Sequence, residues 1–382
     1  MTGARRGPLL ILPALASALA PWDARAQEEP PHIEFDMTVL GGRNPFLVTD
    51  DRNMNAATEI SATGGAVLGV GPKTTLDLDG RLAHRRYARR YGSFVTGNAD
   101  IALDHRSSEH LALHSGLSYA RVLPLEAQVA SIDAAIDPVS LQERYQARQD
   151  VRWRPDALTT VIGRVTWDRI APRNSQLLSQ IDATSFALSY ERRLSSTSWI
   201  GLSGLGTFSD STDGSSSDSA ILVLKAGTRL AQHLSVETEA GLSRIDRRET
   251  DGRRNNTPAQ PTATVILCYD PRRLRVCLSG RVSPVVTSFG GIRREKALNA
   301  TFSLQTGESG SLSAAADYRR APGPTFGREA SVLRLSSAYE HRLDRRFTLH
   351  AGVDFDRRTG MSRQPLDAWT VRVGVSFRIP SR

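Results

Sequence analysis

Side chains able to do chemistry are scattered along this sequence rather than gathered. Of the eight histidines, His32, His84, His105, His110, His114, His233, His341 and His350, only His110 and His114 stand four apart. On a helix that spacing would set two ligands side by side, but their flanks read as a strand, where four residues span about 13 Å. No serine and histidine are spaced as a nucleophile with its base. No catalytic residue, metal site or cofactor is therefore expected. The two cysteines, Cys268 and Cys277, flank the turn Asp270-Pro271-Arg272-Arg273. In an antiparallel hairpin they would face each other on one side of the sheet, close enough to bond. An oxidising compartment would make that bond structural. Metal binding is not indicated, because no histidine or acid shares their spacing.

The charged residues follow a rule that the histidines do not. Asp77, Asp79 and Arg81 alternate with Leu76, Leu78 and Leu82. Asp100 and Asp104 follow at even spacing; Arg144, Arg148 and Arg152 stand four apart with Asp150 among them; Arg164, Arg229, Arg275, Arg281, Arg334, Arg372 and Arg378 recur later, opposed by Glu237, Glu239, Asp317, Asp354 and Asp356. Near-balanced charge on one side of many strands describes a wall around water or around paired ions, suited to a polar channel.

Strands are the elements that must position these residues. Phe347, Leu349, Ala351, Val353 and Phe355 alternate with Thr348, His350, Gly352, Asp354 and Asp356, and Leu298, Ala300, Phe302 and Leu304 with Asn299, Thr301, Ser303 and Gln305. A period of two gives one oily and one wet face. If the oily face meets lipid, a charge on it costs about 2–4 kcal/mol at mid-bilayer. Tyr119, Tyr145, Trp153, Trp167, Tyr190, Tyr318 and Tyr339 fall near strand ends, where interfacial aromatic girdles belong. Short turns are read near 71–73, 107–108, 154–156, 195–197, 231–232, 270–273, 308–310 and 343–345. Longer loops are read near 42–54, 88–96, 123–139, 171–182, 209–219, 247–258, 287–296, 320–328 and 357–367. Short turns on one side and long loops on the other are the asymmetry of outer-membrane barrels. The fold expected is all-β: a transmembrane antiparallel up-and-down β-barrel of about 18 strands, with 16 as the alternative.

The two ends of the chain agree. Arg5 and Arg6, an uncharged run from Gly7 to Trp22 and then Ala24-Arg25-Ala26 have the form of a secretory signal peptide, which assigns 1–26 to the signal and 27–382 to the barrel. The run is too short to span as a helix, which needs about 20 apolar residues. The final strand, Trp369 to Ile379, ends with Arg372, Gly374, Phe377 and Ile379 in the order polar, Gly, aromatic, aliphatic. That tail resembles the C-terminal signal by which bacterial outer-membrane barrels are recognised for insertion, and it implies the barrel-assembly machinery as a partner.

Composition fits. In 382 residues the hydrophobic share is 40% and the net charge +9, with Lys73, Lys225 and Lys296 the only lysines. Arginine-rich segments fall in the long loops: Arg86, Arg89 and Arg90; Arg247, Arg248, Arg253 and Arg254; Arg293, Arg294 and Lys296; Arg357, Arg358 and Arg363. They favour anionic partners, with lipopolysaccharide phosphate first and an anionic exported polymer second. No nucleic-acid motif accompanies them. The third loop is different, since Val129, Ile132 and Ile136 share one short helical face. It is expected either to fold into the barrel mouth as a constriction, with Glu126, Asp133 and Asp137 near the path, or to pack as a cap on neighbouring loops.

With these residues in view, the mature chain resembles the β-barrel porins that accompany exopolysaccharide gene clusters in Gram-negative bacteria. The residues that carry the likeness are the exit of the first strand, Phe35 to Phe46, running on into Leu47, and the pairs Arg86-Tyr87 and Tyr318-Arg319 at outer strand ends. The resemblance implies an outer-membrane passage for secreted polysaccharide, with periplasmic export components as partners; it assigns no site residue. The alternatives are a general diffusion porin for small polar solutes and a non-conducting barrel that scaffolds a secretion complex.

Overall fold

The structure is a computed structural model that describes residues 31–49, 53–89, 91–123, 132–323, 329–360 and 364–379. The expected signal segment 1–26 lies outside them. Alternating sequence becomes strand throughout: β1 (His32–Arg43), β2 (Met54–Gly71), β3 (Thr74–Tyr87), β4 (Ser93–Arg106), β5 (Leu111–Val122), β6 (Gln142–Trp153), β7 (Thr159–Pro172), β8 (Ile181–Arg193), β9 (Ser198–Ser211) and β10 (Ser216–Ala231). The second half adds β11 (Leu234–Arg248), β12 (Arg254–Asn256), β13 (Gln260–Tyr269), β14 (Leu274–Thr287), β15 (Gly291–Gln305), β16 (Gly310–Pro322), β17 (Glu329–Arg342), β18 (Phe347–Thr359) and β19 (Leu366–Ile379). β12 is a three-residue piece of the loop after β11. The other 18 strands form one antiparallel wall, each paired with its neighbours in sequence. β19 returns to β1 in register from Ile33↔Ile379 to Arg43↔Trp369, which closes the barrel and leaves no free edge.

Short turns occupy one end, and their sequences explain them. After Pro155, Asp156 accepts the backbone N–H groups of Leu158 and Thr159, both at 2.7 Å. Asp344 accepts those of Arg346 and Phe347 at 2.6 and 2.8 Å. These backbone donors hold both carboxyls below the usual carboxylate range. Such side-chain caps let a few residues reverse the chain.

The outer face is dominated by aliphatic and aromatic side chains, with Leu82 63% and Leu224 69% exposed. Near the turn end it carries Trp153, Tyr190, Tyr269 and Tyr339, and the Phe347 and Phe377 rings meet at 5.1 Å. At the loop end it carries Tyr119 and Tyr145, ring centroids 5.1 Å apart, Trp167 and Trp369, together with ion pairs: Arg169–Asp182 at 2.6 Å, Arg173–Glu143 at 2.7 Å and Arg357–Asp367 at 2.7 Å.

Two of the expected long loops are tight hairpins. β9 and β10 run to Ser211 and from Ser216, and β14 and β15 run to Thr287 and from Gly291. Gly290 and Gly291 turn the second hairpin with φ of 110° and 73°, a region where a side chain would be strained. The arginine-rich segments therefore lie partly on strands, and alternation divides them. Arg247, Arg293 and Arg358 share the inner face, whereas Arg294, Lys296 and Arg357 share the outer one. Strand pairing continues past the oily band, so these residues do not wave as loop clusters.

Candidate transport pathway

The inner face is fixed by two observations. Large apolar side chains mark the other face, and Ala321, Ala330, Val332 and Ala368 are buried beneath chain segments that turn into the barrel. On that inner face, by register, stand Asp77, Asp79 and Arg81 of β3, Asp100 and Asp104 of β4, Arg144, Arg148 and Arg152 of β6 and Arg164 of β7. Arg229 of β10, Arg275 and Arg281 of β14, Arg334 of β17, Asp354 of β18 and Arg372 of β19 complete it.

The structure brings some of these together. Asp79 lies directly opposite Asp100. Asp104 meets the His114 ring at 2.9 Å. Asp150 takes Arg164 at 2.7 Å and Arg148 at 2.8 Å, one on each carboxylate oxygen. Asp354 takes Arg334 and Arg372, both at 3.4 Å. Arg281 meets Glu295 at 2.8 Å. Arg152 and Arg229 make no ion pair among the described residues, and Arg275 reaches Asp270 only at 4.0 Å.

Two hubs of this network were not singled out from the sequence. Glu59, 7% exposed, holds Arg81 at 2.8 Å and Arg85 at 2.6 Å. Glu295, 1% exposed, holds Arg281 and, at 3.3 Å, Arg319. The signal for Glu295 was the alternation of β15 read backward from Leu298, hidden inside the charge run Arg293-Arg294-Glu295-Lys296. A further knot joins Asp36 to Thr38 (2.7 Å), Ser376 (3.1 Å) and His350 (3.3 Å).

The mouth is built differently. Between β5 and β6 a 3-10 turn, Ile132–Ala135, packs on β16, β17 and β18 across the barrel. With Ile136 it joins Leu47, Leu178, Phe289, Val332 and Ala368 in one dry cluster. A second cluster sets Phe46 against Tyr87, Tyr91 and Phe94, ring centroids 4.5–5.4 Å away. The β14–β15 hairpin leans into the same space. Ser288 accepts the Ser179 N–H at 2.7 Å, Ile292 N donates to Ser217 Oγ at 2.7 Å, and Arg293 covers the Phe289 ring at 5.2 Å.

The acids expected beside the path take other roles. Asp133 is 1% exposed inside the cluster and accepts from Ser288 N (3.0 Å) and Gln142 Nε2 (3.2 Å). Burial pushes its carboxyl above the usual range, against the pull of Arg144. Asp137 accepts from Ser175 Oγ at 2.6 Å and from Val139 N and Ser140 N at 3.3 Å. Both are tied into the packing by donors from neighbouring segments: Asp133 by the β14–β15 hairpin and β6, Asp137 by the residues that follow it and by the segment after β7. Glu126 and Val129 lie outside the described residues.

Below the mouth, cavities open on opposite walls of the lumen. One, of about 440 Å³, lies between β1–β3 and β17–β19, capped by Pro45 and Leu123; six carboxylates and four guanidiniums line it among the described residues. Another, of about 500 Å³, lies along β7–β14 and is lined among the described residues by Arg164, Lys225, Arg281 and Glu239; Lys225 meets Glu239 at 3.1 Å.

Cys268 and Cys277 lie directly opposite in register, Cα atoms 4.1 Å apart, and are bonded as a disulfide on the inner face near the turn end. Arg372 and Gly374 of the C-terminal tail face inward, while Phe377 and Ile379 face outward on the strand that closes against β1. Among the described residues no group of three or more His, Cys, Asp or Glu could hold a metal ion, and no helix is long and apolar enough to cross a membrane.

No family model matches the chain, and no curated protein matches it in sequence. Solved structures do. OccK2 (OpdF) of Pseudomonas aeruginosa is 11% identical with a TM-score of 0.49 over 91% of this chain and 98% of that one. The same protein in complex with glucuronate gives 11%, 0.48, 92% and 98%. OpdQ of Pseudomonas aeruginosa gives 10%, 0.46, 93% and 100%. At this identity the likeness is one of architecture, and it adds no argument about what the lumen passes.

Proposed function

We propose that the chain is an outer-membrane channel for small hydrophilic solutes. The observation that carries this is the lumen itself: a closed wall, oily outside and ionic inside, with cavities of a few hundred Å³ under a mouth narrowed by inward-packed chain. Cavities of about 300–1,000 Å³ suit small molecules. A polysaccharide would need a continuous wide path, so the export reading drawn from sequence gives way to the diffusion of small solutes. The turns would face the periplasm and the loops the exterior, as in bacterial barrels. The outward ion pairs at the loop end would then sit at headgroup height, where their guanidiniums suit the phosphates of lipopolysaccharide. The barrel-assembly machinery remains the expected partner for insertion of β19.

The test is conductance in planar bilayers, followed by liposome uptake of sugars of rising size. Discrete channels that admit monosaccharides and exclude long oligosaccharides support the reading. Barrels that insert but never conduct reject it in favour of a scaffold, and passage of long glucans restores polysaccharide export.

A further inference from the structure

We infer that the outer face of β5–β7 seats a second copy of this chain, the two barrels joining through the amide of Gln149. The inference goes beyond the channel reading: it rests on the barrel's membrane setting and is indifferent to what the lumen passes.

Gln149 faces outward on β6, between Ala147 and Val151 on its own strand and between Ser115 of β5 and Val165 of β7 in register. It is exposed. Tyr145 lies four residues toward the loops and Trp153 four residues toward the turns, so the amide stands midway between the aromatic belts, at the depth of the lipid tails. Among the described residues, no other charged or carboxamide side chain faces outward with large apolar side chains exposed on both sides of it along its strand. Its own barrel satisfies this amide only in part. Ser115 Oγ donates to Gln149 Oε1 at 2.6 Å, and Gln149 Nε2 reaches the Asp150 carbonyl at 3.5 Å, the outer limit of a hydrogen bond. An amide has two donors and an acceptor with two lone pairs. A donor and a lone pair are therefore left facing hydrocarbon, which offers a partner to neither.

The group that answers both needs is another amide, and a second copy carries one at the same depth. All copies insert in the same direction, so a two-fold axis along the membrane normal brings the two Gln149 side chains together at one height. Each then gives an N–H to the other's oxygen. A different protein would need its own polar group at that level of the bilayer. The surroundings admit close approach. Ala147 is the next outward residue on β6, and Gly163 stands opposite Val151 on β7. A methyl group placed on Gly163 would meet nothing within 4 Å, so packing inside the barrel does not call for glycine there. Small residues around a polar side chain are what hold membrane-spanning segments together, since apolar contact alone gains nothing over lipid.

Cysteine cross-linking of the full chain in its native membrane tests this. The two native cysteines are bonded to each other, so an introduced thiol is the free one. Ala147→Cys keeps the amide and should give, on oxidation, a product of twice the mass. Ala314→Cys, on the outer face of β16 half a circuit away, should stay monomeric. Adding Gln149→Leu or Gly163→Leu to Ala147→Cys should remove the product, the first by deleting the amide and the second by blocking approach. Energy transfer between fluorophore-labelled barrels in liposomes gives the size: Gln149→Leu should raise the dissociation constant roughly ten-fold, the worth of a hydrogen bond between membrane segments. Urea midpoints in detergent should not fall in either leucine variant, which separates lost pairing from misfolding. Cross-linking that survives both leucine substitutions overturns the inference. So does cross-linking of Ala147→Cys to another protein in place of itself, or the absence of both cross-link and energy transfer at every protein-to-lipid ratio.

Discussion

At the loop end of the barrel, Leu47, Ile136, Phe289 and Val332 are sealed from water around one carboxylate, Asp133. A little lower on the same wall, Asp354 sits between Arg334 and Arg372 beside a cavity of about 440 Å³. The mouth is a small protein core hung inside a barrel, held by apolar burial at about 25 cal/mol per Å². The wall beneath is a lattice of ion pairs in which acids such as Asp354 and Glu59 are buried while arginines such as Arg81 and Arg372 stay partly open to water. A mouth built by burial has one packed state and opens by losing it. A wall built of paired charges keeps its shape while single pairs break, and its donors and acceptors stay available to a passing solute. On the proposed channel reading, one barrel would thus separate the part that closes from the part that selects.

The sharpest way to break this comparison is to find a wall pair that behaves like a core. Glu295 is the exception predicted, since it is buried while its two arginines are less so. Glu295→Ala leaves Arg281 and Arg319 facing each other, and is expected to destabilise the barrel by about 4 kcal/mol, the range for one partner removed from a buried network. Urea titration in detergent micelles measures it; a loss below about 1 kcal/mol would put Glu295 with the ordinary solvated pairs. Next in size, Ile136→Ala should cost the mouth about 3 kcal/mol, the loss from a buried aliphatic and the cavity it leaves. Its readout is conductance: the variant should show longer and larger openings, and deleting 126–137 should abolish the closed level. Unchanged conductance in both would show that the path bypasses this packing.

These two regions were unequally visible in the sequence. The wall was legible because its information is local. Leu76-Asp77-Leu78-Asp79 states a strand and its two faces in four residues, and Arg154-Pro155-Asp156 states the turn that follows β6. From such pieces the strand number, the turn positions and the sharing of one face by Asp79, Asp100 and Arg148 could all be written down. The mouth was not legible because its core is assembled from single apolar residues in polar loops. Phe46, Leu178 and Phe289 show no period, and nothing near any of them announces the others. Only Ile132 and Ile136 left a trace, and it pointed inward while misplacing Asp133 on the path. A buried acid and a lumenal acid look alike until packing is known.

A smaller effect probes Asp133 directly. Burial raises its folded-state pKa, so the seated mouth binds a proton more readily than a mouth that has swung open and exposed the group. Seating is therefore independent of pH below the ordinary carboxylate range. It weakens as pH rises from that range through the raised value, by at most about 1.4 kcal/mol per pH unit. Open probability in bilayers should climb over that interval, and Asp133→Asn should flatten the climb while keeping the Ser288 N–H bond through its side-chain oxygen. A pH profile unchanged in Asp133→Asn would locate the titrating group elsewhere.

The smallest effect is expected at the outer rim, where the comparison predicts near silence. Arg244 and Asp246 are paired at 3.0 Å with side chains 55% and 42% exposed. Exposed pairs contribute about 0–1 kcal/mol, so Arg244→Ala should shift the urea midpoint by less than about 0.5 kcal/mol in detergent. In liposomes carrying lipopolysaccharide on the loop side the same substitution removes a guanidinium at phosphate height, where neither partner is fully hydrated. A larger loss there than in detergent would mean that the rim takes its stability from the lipid it meets. Equal losses in both would leave the rim pairs as solvated decoration and assign no role in lipid binding to this arginine.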